Sequence, residues 1–198
     1  MDSALARIIA TRKSGAEPIH ADGVSSGGTL LDFWRWSASD LLSNATRGIF
    51  AEYLVHRAVC SQESTIRDEW DAFDLTTPDG IRVEVKSAAY IQSWYQKEES
   101  RISFSVRKTL AWSAATNELD TVPKRQAQVY VFALLHERAM PDPLNVHHWS
   151  FYVVPTSALD ARTRSQHSIT LTSLQKEFAG PIPYEELAAT IRSSVAAV

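Results

Sequence analysis

The stretch that most limits how this chain can fold is residues 69–87, "EWDAFDLTTPDGIRVEVKS". Two runs of alternating apolar and polar residues, "EWDAFDL" and "IRVEVKS", flank a four-residue turn signal. In "TPDG", Pro78 presets the first central position, Asp79 suits the second, and Gly80 accepts positive φ. A three-residue hairpin loop of this kind fixes the strand register. Counting outward, Thr77 faces Ile81, Leu75 faces Val83, Asp74 faces Glu84 and Phe73 faces Val85. One face then carries Phe73, Leu75, Ile81, Val83 and Val85, and the other carries Asp74, Glu84 and Lys86.

The rest of the pattern surrounds this hairpin with helices and further strands. The segment "SASDLLSNATRGIFAEYLVHRAVC" predicts a helix capped by Ser37 or Ser39, with Leu42, Ala45, Ile49, Tyr53 and His56 at helical spacing. Glu52 lies at the edge of that stripe, and Gly48 suggests close approach of another element. Strands are predicted in "RISFSVRK", "QVYVFALL", "WSFYVVP" and, weakly, "SITLTSL". The unbroken apolar run in "VYVFALL" reads as a strand buried on both faces. Pro183 opens a closing helix over about 183–196, with Tyr184, Leu187, Ile191 and Val195 as its stripe.

The expected fold class is therefore α/β or α+β, a central mixed sheet flanked by helices. Residues 1–28 read as a lead-in: a short amphipathic helix over 1–13, then a partly flexible Gly/Ser/Pro-rich loop over 14–28. Residues 29–198 read as one domain with its core over 37–155; the chain has 198 residues, enough for one ordinary core.

Two acids opposite each other on paired strands repel unless a cation lies between them. Asp74, Glu84 and Lys86 form D-x9-E-x-K. Mg²⁺ suits such a pair, because it takes hard oxygen ligands and keeps much of its water. A lysine two residues on points to the same place and can act on a metal-bound water or a phosphate. Asp71, with the parity of the apolar face, and Asp79, at the turn tip, are read as structural or solvated.

These residues resemble the PD-(D/E)XK nuclease superfamily, which includes many restriction endonucleases and Holliday-junction resolvases. The resemblance is carried by "FD" at 73–74, "EVK" at 84–86, the helix segment "RGIFAE" with Glu52, and "SAAYIQSW" with Gln92, and it spans roughly residues 37–108. Phe73 stands where the superfamily's name has proline. The resemblance implies a restriction-endonuclease-like core and metal-dependent hydrolysis of phosphodiester bonds with Mg²⁺ or Mn²⁺. It implies that Asp74 and Glu84 bind metal, Glu52 supports a ligand or a second metal, and Lys86 acts on the nucleophilic water. Gln92 would position substrate or water. It also implies a nucleic-acid partner, with DNA favoured, a role in defence or repair, and a possible homodimer. The alternative is a non-catalytic nucleic-acid-binding or assembly subunit that keeps the fold.

The formal net charge of -3 excludes a globally basic nucleic-acid binder, so positive charge must be local. Lys97, Arg101, Arg107, Lys108, Lys124 and Arg125, interleaved with Trp94 and Tyr95, are the candidates for phosphate and base contacts. A single cysteine, Cys60, excludes an intramolecular disulfide and a cysteine-rich zinc site. His147 and His148 are adjacent and read as a loop pair. No apolar stretch is long enough to span a membrane, and "MDSALARIIATRK" does not read as a signal peptide, so a cytoplasmic location is expected.

Overall fold

A computed structural model describes residues 8–60, 66–113, 116–178 and 180–196. Its centre is a four-stranded mixed sheet in the order β3-β4-β8-β9, built from β3 (Leu75–Thr76), β4 (Arg82–Ala89), β8 (Val129–Leu135) and β9 (Trp149–Pro155). β3 runs antiparallel to β4, β4 parallel to β8, and β8 antiparallel to β9. The α+β expectation, a mixed sheet flanked by helices, is met.

Every residue of β8 is buried, as its unbroken apolar run requires of a strand covered on both faces. On one face, Val83, Val85, Val129, Val131, Ala133, Leu135, Trp149 and Phe151 pack under two helices, α2 (Asn44–Val59) and α5 (Leu187–Ala196). On the other, Tyr130, Phe132, Leu134, Tyr152 and Val154 pack under the long crossover between β4 and β8. That crossover carries β5 (Ser103–Ser105) and a small hairpin of β6 (Trp112–Ser113) and β7 (Glu118–Leu119). β5 pairs with β10 (Ser168–Thr170), and α3 (Thr156–Asp160) and α4 (Leu171–Glu177) complete this layer. Burial of a Val, Leu or Phe side chain is worth about 1.5–3 kcal/mol, so the two apolar layers are the main stabilising term.

The structure corrects several expectations. Of the helix expected over 1–13, residues 8–13 are not helical and residues 1–7 lie outside the described residues; the presumed loop holds a hairpin of β1 (Pro18–Ala21) and β2 (Val24–Thr29). A short helix, α1 (Leu30–Ala38), follows; Thr29 and Asp32 form a reciprocal capping box at its start. The helix expected from Ser37 or Ser39 breaks at Asp40, and α2 starts only after Ser43, whose hydroxyl caps it. Its buried side is Arg47, Ala51, Leu54, Val55 and Val59, while Ile49 and Tyr53 of the expected stripe are 49% and 52% exposed. A stripe drawn through Ile49 and Tyr53 falls on nearly the opposite side of the helix, about two residue steps out of phase, because an arginine, Arg47, is one of the inward residues. Nothing approaches Gly48 closely. In "SITLTSL" only the first three residues are strand, and the rest enters α4. The closing helix begins with a 3-10 turn over Tyr184–Glu186 before α5, whose Leu187 and Ile191 enter the core.

The hairpin register holds at Leu75↔Val83 and Thr76↔Arg82, and Gly80 has φ of +81° as the turn demands. Before Leu75 the pairing fails. "EWDAFD" is not strand, and Phe73 lies against the second apolar layer, with the Arg82 guanidinium 5.8 Å from its ring, instead of beside Val83 and Val85.

Candidate active site

β3 lasts only two residues, so β4 has an open outer edge from Glu84 onward. Asp74, just before β3, fills that edge. Its backbone N–H donates to Val83 O at 3.1 Å, and its Oδ2 accepts from Val85 N–H at 2.6 Å. A side chain thus does the work of the missing strand. Val83 and Val85 are locked inward by packing under α2, so Glu84 and Lys86 must stand on the opposite face, in register with Tyr130 and Phe132 of β8. There Lys86 Nζ forms an ion pair with Glu84 Oε1.

The electrostatics of Asp74 follow from this placement. Its pKa is pushed up to about 7, first by burial and then by the charge of Glu84, with Glu52 adding to both. The Val85 N–H and the charge of Lys86 pull the other way without prevailing. Carboxylate charge is concentrated where water screens it only in part.

Glu52 comes from α2. Its carboxylate is held by Arg67, with Nε–Oε2 at 2.5 Å and Nη2–Oε1 at 3.4 Å. That hydrogen bond leads the causes that raise the pKa of Arg67, and the charges of Asp74 and Glu69 act in the same direction. Arg67 therefore belongs to the cluster. The sequence reading missed it, because no periodicity marks a residue in an irregular segment; its nearness in sequence to Asp74 was the available signal.

Gln92 lies past the end of β4. It accepts from Arg47 Nη1 at 2.9 Å and donates to Ala89 O at 2.9 Å and Ser100 Oγ at 3.2 Å. The amide orders the loop after β4 against the start of α2. Among the described residues no hydrogen bond ties it to Asp74, Glu84 or Lys86.

The predicted basic residues separate. Lys97, Arg101 and Arg107 are exposed. Lys108 pairs with Asp160 at 3.4 Å and Lys124 with Asp120 at 3.1 Å. Arg125 has no exposed side-chain surface: it forms an ion pair with Asp160 and donates to Val106 O at 3.0 Å and Gln166 Oε1 at 2.9 Å. Its assignment to nucleic-acid contact is corrected, since the guanidinium is enclosed and its donors are used. Asp79 bonds Arg192 of α5 at 2.9 Å, and His148 Nδ1 accepts from the Asp142 N–H at 3.1 Å; both have structural roles.

Among the described residues, no three His, Cys, Asp or Glu side chains gather into a ready-made metal cage. The donor set is smaller, Asp74 with Glu84, and it fits an ion that takes one or two carboxylates and completes its shell with water and phosphate oxygens.

A sequence model of the family described as bacteriophage T4 endonuclease IV matches residues 31–160. The chain belongs to this family. The T4 endonuclease IV match runs from α1 through α3 and takes in Glu52, Arg67, Asp74, Glu84, Lys86 and Gln92. It makes the chain a member of a nuclease family, with nucleic acid as substrate. No curated protein matches the chain. Among the described residues no helix is long and apolar enough to cross a membrane.

Proposed function

We propose that the chain is a divalent-metal-dependent endonuclease of PD-(D/E)XK type that hydrolyses phosphodiester bonds in DNA. The observation that carries this reading is Asp74. Its carboxylate is fixed on the open edge of β4 by the Val85 N–H, beside Glu84 and Lys86, with its pKa raised to about 7. Unpaired strand edges are normally blunted or covered. Here Asp74 covers the edge, and a second acid and a lysine of β4 stand beside it.

Asp74 and Glu84 would hold Mg²⁺ or Mn²⁺, which when bound lowers the pKa of a water and neutralises charge on the scissile phosphate. The rest of the work falls to the chain. Val85 N–H holds one Asp74 oxygen, which leaves the other free to face the substrate side. Glu84 anchors the Lys86 ammonium on the same face, where it can orient the attacking water and stabilise negative charge that develops on phosphate oxygens. Glu52, tied to Arg67, adds negative charge near Asp74 and favours cation binding there. Gln92 sets the position of the loop that leaves β4.

The test is calorimetric titration with Mn²⁺ of the wild type and Asp74→Ala, beside cleavage assays on DNA and RNA forms. Saturable binding lost in the variant, with metal-dependent cleavage of DNA, is expected. Binding of DNA without metal dependence or cleavage would replace this reading with a non-catalytic binding subunit.

A further inference from the structure

At the end of β4, between the start of α2 and the loop over residues 90–101, lies a cleft of about 370 Å³ lined by Arg47, Ser87, Gln92, Trp94, Ser100 and Arg101. Arg47 is 3% exposed. Its donors go to neutral oxygens: Nη1 to Leu42 O at 2.9 Å and Gln92 Oε1 at 2.9 Å, and Nη2 to Asn44 Oδ1 at 2.5 Å. Among the described residues its Nε has no hydrogen-bond partner. No carboxylate among the described residues pairs with it, and burial alone shifts its pKa, downward. An arginine cannot shed its proton to escape such a setting. Buried charge without a counter-charge is costly, and here it borders the cleft, through which a counter-charge can reach it.

The lining supports an anion. Arg101 is exposed at the rim. Ser100 Oγ accepts from Gln92 Nε2 at 3.2 Å and Gln96 Nε2 at 3.0 Å, so its own proton is left to donate. Ser87 lies three residues beyond Glu84 on β4, about 10 Å along the strand, and by alternation it stands on the α2 face with Arg47 while Glu84 and Lys86 stand on the other, so the cleft opens round the end of β4 from the acids.

We infer that this cleft is a subsite for a backbone phosphate of the nucleic-acid strand, flanking the bond cleaved at Asp74, Glu84 and Lys86. Arg47 supplies positive potential from beneath, and Arg101 and Ser100 supply direct donors. The inference rests on the nuclease reading above.

The experiment is equilibrium binding of a fluorescein-labelled DNA oligonucleotide in EDTA over a range of salt, with cleavage measured separately in Mn²⁺. Wild type, Arg101→Ala, Arg47→Met and the remote control Lys176→Ala are compared. Arg101→Ala is expected to weaken binding about tenfold and to lower the salt slope by about one. Arg47→Met should weaken binding similarly, with its fold checked by circular dichroism. If that variant does not fold, Arg101→Ala and Ser100→Ala decide. Lys176→Ala removes the same charge from α4 and should bind as wild type. Should Arg101→Ala behave like Lys176→Ala while the wild type still binds and cleaves, the subsite is refuted and the nuclease reading stands. A wild type that neither binds nor cleaves removes the nuclease reading, and the subsite with it.

Discussion

Around Arg125, one cation is enclosed by acceptors: the Asp160 carboxylate, Val106 O and both the carbonyl and side-chain oxygens of Gln166. Around Asp74 the balance is reversed. Three carboxylates, Glu52, Asp74 and Glu84, stand with two cations, Arg67 and Lys86, and burial with the charge of Glu84 pushes the pKa of Asp74 up to about 7. The first cluster ties the crossover before β8 to the segment after α3. The second ties the segment before β3 to α2 and to β4, yet holds more negative charge than its cations match. The Arg125 cluster spends its donors on acceptors within the fold, whereas the acids around Asp74 outnumber their cations, the imbalance expected of a site that takes a cationic ligand.

That contrast is sharpest when each cluster loses its cation. Lys86→Met should lower cleavage about 10²–10⁴-fold, the range for a positioned proton-transfer group. Its stability should move by no more than about 1 kcal/mol, because the pair it leaves is partly exposed. Arg125→Met should do the opposite. Losing a buried charged hydrogen-bond network costs about 3 kcal/mol, or roughly 6–12 °C in melting temperature for a chain of this size. Cleavage per folded molecule should stay near wild type. Thermal melts and cleavage rates on both variants check the pair, and an Arg125→Met protein that melts with the wild type would break the contrast.

The two clusters were not equally legible in the sequence. Asp74, Glu84 and Lys86 were readable because a turn fixes register and a strand alternates, and both rules are local. The same rules placed Leu75 opposite Val83. They failed at Phe73, where the ladder ends and Asp74 spends its side chain on Val85 N–H. No alternation pattern encodes that exchange. Arg125 was misread because composition cannot tell a surface arginine from an enclosed one; its partners Asp160 and Gln166 lie 35 and 41 residues away. Arg67 and Arg47 were missed for related reasons, one in an irregular segment, the other inside a helix stripe assumed to be apolar. The sheet, by contrast, was visible in β8 and β9, whose long apolar runs allow little else.

The deficit at Asp74 also has a pH signature. An aspartate titrates near 3.9 in an unfolded chain, and near 7 here. Between those values the folded state keeps a proton that the unfolded state has released. Stability therefore falls as pH rises from about 4 to about 7, and the penalty is complete above that window. Asp74→Asn keeps an oxygen for Val85 N–H and removes the charge. In EDTA it should gain on the order of 1–2 kcal/mol at pH 8, or about 2–8 °C, and nothing at pH 4. Equal melting shifts at both pH values would show that the acids do not strain the fold.

The smallest effect is expected at Arg67, and it separates the two kinds of cluster most finely. Its pair with Glu52 is partly exposed, so Arg67→Ala should cost less than about 1 kcal/mol, where Arg125→Met costs several times that. The consequence for metal has the opposite sign. Arg67 neutralises Glu52 and feels the charge of Asp74, so removing it deepens the negative potential and frees one carboxylate. Mn²⁺ should then bind several-fold more tightly than to wild type, as one added unit of nearby negative charge predicts. A double variant, Arg67→Ala with Glu52→Gln, should lose that gain if Glu52 acts through its charge. Unchanged Mn²⁺ affinity in Arg67→Ala would place Glu52 outside the metal's reach and leave Asp74 and Glu84 to hold it alone.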